Sequence, residues 1–132
     1  MEIDHVAIAV RDVEAAAKDY GRALGIEKIE YETVEGEGVR LAILRLGDAR
    51  IELMQPTGDA SPIAKFLEKR GEGLHHIALR TKDIDGEVSR MEGCGINFLG
   101  GIRGGSEGTR VTFIHPRSLH GVLAELCTTP SS

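Results

Sequence analysis

Aromatic residues and cysteines are scarce in this sequence. Phe, Tyr and Trp together make up 4% of its 132 residues, and Trp is absent. A folded core must therefore consist mainly of Val, Ile, Leu and Ala. The two cysteines, Cys94 and Cys127, are far apart and lack the spacing of a metal-binding pair, so we expect free thiols in a reducing compartment.

Long apolar runs and basic clusters are also missing. The apolar stretches are too short to span a membrane, and the N-terminal segment lacks the basic, apolar and cleavage regions of a signal peptide. The formal net charge of -5 and the absence of a dense Lys/Arg cluster argue against nucleic acid as a partner. With 41% hydrophobic and 28% charged residues, the chain is expected to fold. We predict a cytoplasmic protein with a single domain over residues 1–132.

An internal repeat divides the chain into two modules. The stretch "IDHVAIAVRDVEAA" resembles "LHHIALRTKDIDGEV", and the third residue of each is a His followed by a β-branched residue and Ala: His5 and His76. The modules also end alike, because "RIELMQP" carries Glu52 and "LAELCTT" carries Glu125. Each module therefore has a His near its start and a Glu near its end, at similar separations.

Hydrophobic periodicity predicts the same order of elements in each module, strand-helix-strand-strand-strand, and hence an α+β fold. Module one covers about 1–57 and module two about 74–128, with a connecting helix at about 61–71. The predicted strands are 3–10, 26–34, 39–46, 49–56, 74–80, 95–99, 110–115 and 121–128, and the other helices are 13–24 and 83–93. The helix caps are predicted at Asp12, Gly25, Ser61, Pro62 and Gly71. Gly100–Gly108 is predicted to be a loop, and it lacks the spacing of a phosphate-binding loop.

The two histidines share strand faces with small residues. Side chains alternate along a strand, so His5, Ala7 and Ala9 lie on one face, and His76 lies on the same face as Ala78. The large apolar residues of both strands face the other way and are predicted to pack under the helices. Small side chains around each His predict space for a ligand.

The two glutamates stand among apolar neighbours. An unpaired carboxylate in such a strand costs several kcal/mol or becomes protonated, and a metal cation offsets that cost. Two alternatives are solvated strand faces and a His–Glu hydrogen bond within each module. The matched positions of His5, Glu52, His76 and Glu125 favour a shared metal site.

Four other polar residues are weaker ligand candidates. His75 neighbours His76 but points to the opposite face, and Gln55 points away from the face of Glu52. His115 and His120 lie at strand ends or in the "HPRSLHG" turn and are predicted to be structural or exposed.

The paired modules resemble the vicinal oxygen chelate superfamily over essentially the whole chain. Within it, "IDHVAIAV", "GDARIELMQP", "SPIAKFLEKRGEGLHHIAL" and "FIHPRSLHGVLAEL" are similar to the methylmalonyl-CoA epimerase family, and the "SPIAKFLEKRG" helix leading into "GLHH" discriminates best. The resemblance implies two βαβββ modules paired edge to edge in a half-open, barrel-like sheet around a metal cleft. It implies His5, Glu52, His76 and Glu125 as ligands of a divalent metal ion (Co, Mn, Ni, Zn or Fe) and a homodimer.

The implied activity is epimerisation of (R)- and (S)-methylmalonyl-CoA, an acyl-CoA substrate, through a metal-stabilised enolate. Glu125 is the candidate catalytic residue that binds the metal and exchanges the α-proton. Some family members carry a proposed catalytic Glu in the third strand, where this sequence has Leu41. The second acid–base group is therefore open between a metal-bound water and carboxylates such as Glu35 and Glu37. Two alternative functions are a glyoxalase I-like lactoylglutathione lyase and a non-catalytic small-molecule-binding protein of the same fold.

Overall fold

The predicted order of elements is present in the structure, a computed structural model that describes residues 1–104 and 108–129. In that part of the chain, strands and helices follow one another as β1 (Glu2–Ala9), α1 (Val13–Leu24), β2 (Glu30–Val34), β3 (Val39–Leu46), β4 (Ala49–Pro56), α2 (Pro62–Arg70), β5 (Gly73–Thr81), α3 (Ile84–Gly93), β6 (Phe98–Gly104), β7 (Arg110–Ile114) and β8 (Ala124–Thr128). Short 3₁₀ turns lie at Glu35–Glu37 and Pro116–Leu119. The βαβββ order occurs twice, so the α+β prediction is confirmed. Among these described helices, none is long and apolar enough to cross a membrane.

The first of two compact units comprises His5–His75. In it, β1 runs parallel to β4, β4 runs antiparallel to β3, and β3 runs antiparallel to β2. Helix α1 packs on one face of these strands, where Val13 and Ala17 join Val10, Leu44 and Leu53 in a buried cluster. The large apolar face of β1 therefore lies under a helix, as predicted.

The second unit comprises Met1–Asp4 and the described residues from His76 onward. Here β5 runs parallel to β8, β8 runs antiparallel to β7, and β7 runs antiparallel to β6. A core of Ile84, Ile114, Ala124 and Leu126 holds α3 against these strands. The first residues of β1 belong to this unit, where the Arg80 guanidinium lies 3.3 Å from an Asp4 carboxylate oxygen.

The predicted helix caps are present. The Asp12 carboxylate accepts two backbone N–H groups of the first turn of α1, and Gly25 ends that helix in the left-handed region at φ 69°. The Ser61 hydroxyl accepts one N–H group of α2, Pro62 occupies the first helical position, and Gly71 follows the last turn. Local sequence alone therefore sets both ends of these helices.

The glycine-rich segment of the second unit differs from its prediction. The loop predicted at Gly100–Gly108 is wrong for Gly100–Gly104, because β6 continues through these residues and pairs with β7. The register shifts between Leu99 and Arg103, and such an irregularity accommodates glycines in a strand. Residues 105–107 of the predicted loop lie outside the described residues.

The small residues beside His5 do not leave open space. Ala7 and Ala9 are fully buried, and they share a core cluster with Leu41 of β3 and with Ile63 and Leu67 of α2. The predicted cavity is therefore wrong at these alanines. Their small side chains instead let a second helix pack closely on this face of the sheet.

Candidate metal centre and functional site

The first unit places one predicted donor pair on a single strand face. His5 of β1 lies opposite Arg50 of the parallel strand β4, and Ala7 lies opposite Glu52. Because side chains alternate along each strand, His5, Arg50 and Glu52 all project from the same face. His5 and Glu52 are both buried.

Arg50 contacts both predicted ligands of this unit. Its Nε donates to Glu52 Oε2 over 2.6 Å, and its Nη2 lies 3.5 Å from His5 Nδ1. His5 Nδ1 and Glu52 Oε2 are 3.7 Å apart, which is too long for a hydrogen bond. The charge of Glu52 is therefore offset by an arginine in this unit. The sequence contained a signal for this pair, because a cation two residues before a glutamate in a strand lies on the same face.

The second unit holds the other predicted donor pair. Glu125 of β8 lies opposite Ala78 of β5, so it shares a face with His76, two residues earlier on β5. His76 is buried, and its Nε2 lies 3.8 Å from Glu125 Oε1. The Phe113 ring meets the His76 ring edge-on, with centroids 5.6 Å apart. Phe113, which lies opposite Glu125 in β7, restricts the His76 ring and was not predicted to belong to the site.

The separation of His76 and Glu125 fits a divalent cation. Two donor atoms that each bind one ion at about 2.0–2.2 Å can be at most about 4.4 Å apart. The 3.8 Å between His76 Nε2 and Glu125 Oε1 lies within this limit and beyond hydrogen-bond length. Imidazole and carboxylate are donors for borderline divalent metals. The pair of His5 and Glu52 also satisfies the distance limit, but there the Arg50 N–H group already contacts the carboxylate oxygen.

His75 and Gln55 have structural partners. The His75 ring packs edge-on against Phe66 with centroids 4.9 Å apart, and burial, followed by the charge of Arg70, lowers the pKa of His75. Gln55 Oε1 accepts the backbone N–H of Val13 over 2.8 Å at the start of α1. These contacts agree with the prediction that both side chains point away from the proposed ligands.

His115 and His120 lie at the two ends of the 3₁₀ turn at Pro116–Leu119. His115 Nδ1 accepts the backbone N–H of Arg117 over 3.0 Å, and His120 follows the turn with a positive φ of 56°. Both residues therefore have a structural role in the turn, as predicted.

Leu41, the position predicted to align with a proposed catalytic Glu, is part of the apolar core. Leu41 is 9% exposed and packs in the cluster that includes Met54 and Ile63. The alternative carboxylates Glu35 and Glu37 are exposed in the 3₁₀ turn after β2. No exchangeable proton is available at position 41.

Comparison with known proteins defines the class to which this fold and these donor pairs belong. The model of the Glyoxalase/Bleomycin resistance protein/Dioxygenase superfamily matches residues 4–113. The chain belongs to this superfamily.

Within the superfamily, the chain is similar to methylmalonyl-CoA epimerases. It is 40% identical to the ethylmalonyl-CoA/methylmalonyl-CoA epimerase of Cereibacter sphaeroides, over 94% of this chain and 95% of that protein. A Streptomyces coelicolor methylmalonyl-CoA epimerase variant, solved in complex with 2-nitronate-propionyl-CoA, superposes with a TM-score of 0.88 at 40% identity and covers 98% of this chain and 94% of its own. A hypothetical protein from Bacillus halodurans superposes with a TM-score of 0.92 at 36% identity, over 99% of this chain and 96% of its own. The predicted resemblance to the epimerase family is confirmed.

Proposed function

We propose that this protein is a metal-dependent epimerase that interconverts (R)- and (S)-methylmalonyl-CoA. The observation that carries the proposal is its similarity to methylmalonyl-CoA epimerases over nearly the full length of both chains. The substrate is an acyl-CoA, and we expect a cytoplasmic homodimer whose mass can be checked by light scattering.

We propose that His5, Glu52, His76 and Glu125 hold one divalent cation, either Co, Mn, Ni, Zn or Fe. A single ligand set requires residues 1–132 to act as one domain, with the two modules paired edge to edge. Support comes from the repeated His and Glu positions and from the separation of His76 and Glu125, which suits a cation. When bound, the cation supplies Lewis-acid stabilisation of the negative charge that develops as the α-proton leaves.

In the proposed reaction, Glu125 exchanges the α-proton of the substrate. Its carboxylate lies on a strand face beside Phe113 and is largely shielded from water, with its side chain 14% exposed. Epimerisation also needs an acid on the opposite face of the planar carbanion. Leu41 has no group that could donate this proton. Glu35→Gln and Glu37→Gln therefore test whether either exposed carboxylate supplies it. Loss of epimerisation with retained α-proton exchange in one variant would identify that residue as the second acid–base group.

The decisive experiment follows exchange of the α-proton of methylmalonyl-CoA in deuterium oxide by NMR. We expect exchange that stops with a chelator and returns when metal is added. His76→Ala should lose both bound metal and exchange. His75→Ala is a matched control, because the neighbouring His75 packs against Phe66 and should leave metal content unchanged. Exchange that is absent, or insensitive to the chelator, would contradict the proposal.

Parallel assays separate the alternatives. Activity with methylglyoxal and glutathione, but not with methylmalonyl-CoA, would make the protein glyoxalase I-like. Full metal content in His76→Ala would show that the ligand assignment is wrong, and tight binding without turnover of either substrate would favour a binding protein.

A further inference from the structure

Arg50 and Glu52 form a close ion pair inside the proposed metal site. The Nε–Oε2 distance is 2.6 Å, and the side chains of Arg50 and Glu52 are 30% and 11% exposed. Hydrogen bonds between two charged groups are short and about twice as strong as those between neutral groups. Water and salt screen such a half-buried pair much less than a pair at the surface.

A second positive charge lies close to Arg50 and makes the ion pair of Arg50 with Glu52 more favourable. Arg45 of β3 lies directly opposite Arg50 of β4, so two positive charges project from adjacent positions of one face. Each arginine has its own glutamate, because Arg45 Nε lies 3.1 Å from Glu30 Oε1.

A divalent cation bound by Glu52 must share the carboxylate with this guanidinium. Its double positive charge and the charge of Arg50 repel each other within the same site. We propose that Arg50 is a positioning residue that competes with the metal for Glu52 and thereby lowers the metal affinity of the site. This inference rests on the proposed metal site and concerns only how tightly that site binds its ion.

Calorimetric titration of the chelator-treated protein with Co²⁺ or Mn²⁺ tests the competition without any assay of activity. Arg50→Gln should bind the metal about tenfold more tightly, equivalent to about 1.4 kcal/mol. Arg50→Lys keeps the charge and should stay within about threefold of the wild type. Arg22→Gln is the matched control, because it removes the same charge from an exposed ion pair with Asp19 on α1 and should not change metal affinity.

Two further measurements separate competition from a purely structural role. Arg50→Met keeps the apolar stem without the charge and should show the same gain in metal affinity. It also provides the test if Arg50→Gln does not fold. In a Glu52→Gln background the gain in metal affinity should be smaller, because Arg50 and the metal no longer compete for a carboxylate and only their mutual repulsion is left. A structural role would lower the melting temperature of the metal-free variants without raising their metal affinity.

The outcomes also distinguish this inference from the proposed function. Wild-type protein that binds no metal would overturn the metal site itself. Wild-type protein that binds metal, together with Arg50 variants of equal or weaker affinity, would overturn the competition and leave the metal site standing.

Discussion

Leu41 is predicted to align with a proposed catalytic glutamate of some family members, and substituting Glu there tests whether position 41 is buried in the apolar core or reached by water. Leu41 is 9% exposed and packs with Met54 of β4 and with Ile63 and Leu67 of α2. We expect Leu41→Glu to destabilise the fold and not to supply the second acid–base group.

The magnitude follows from two contributions. Burying a leucine side chain stabilises by about 1.5–3 kcal/mol, and that gain is lost. A buried carboxylate without a partner costs several kcal/mol more or has its pKa raised. We therefore expect the free energy of unfolding of Leu41→Glu at neutral pH to fall by at least about 4 kcal/mol.

The loss should depend on pH in a defined direction. A carboxyl whose pKa is raised in the folded state stays protonated there while the unfolded chain already ionises. The penalty is therefore smallest below the ordinary glutamate pKa, about 4.3, and grows as the pH rises towards the folded-state pKa.

Urea unfolding of metal-free protein between pH 4 and pH 8 (roughly the window set by these pKa values) measures both effects. Leu41→Met conserves volume and should cost less than about 1.5 kcal/mol. A Leu41→Glu variant within about 1 kcal/mol of the wild type at every pH would refute the reasoning, because it would mean that water reaches position 41.

Three further predictions concern the stability of the fold rather than metal binding. Arg80→Met should lower the free energy of unfolding by about 2 kcal/mol, because the guanidinium beside the largely buried Asp4 carboxylate is removed. If denaturant titration shows a loss no larger than that from substituting an exposed arginine, the prediction is wrong. Ser61→Ala should cost about 1 kcal/mol in the same titration by removing the cap of α2, with Ser61→Asn as a retained-cap control. A hydrogen bond from Arg110 holds the pKa of Asp85 below its ordinary value of 3.8, so this contribution to stability is present above that value and is lost as the pH falls below it. Asp85→Asn should therefore lose less stability on acidification than the wild type, and parallel curves would show that the pair does not contribute.

Local chemistry made most of the fold predictable. Asp12 and Ser61 are hydroxyl or carboxylate residues placed where a helix begins, and Gly25 adopts the left-handed conformation that ends one. β6 was underestimated at Gly100 and beyond, because glycine has low strand propensity and the hydrogen bonds that hold it come from β7. Strand propensity depends on the residue itself, whereas strand pairing depends on the neighbouring strand, here β7.

The sequence predicts the positions of the proposed ligands but not their surroundings. The repeat makes His5, Glu52, His76 and Glu125 the ligand candidates, because a duplicated module keeps its side chains at matching positions. The repeat carries no information on Arg50, because the matching position two residues before Glu125 is Leu123.

The sequence by itself determined the two βαβββ modules, the helix ends and the strand face on which each His and Glu lies, since period and capping are local properties of the chain. Only the tertiary structure decided that α2 covers Ala7 and Ala9, and that a phenylalanine ring meets His76. These contacts depend on strand register and on how closely a helix approaches a sheet. Strand register and helix approach are both set by packing between segments that are distant in the sequence, so a local sequence pattern does not predict them.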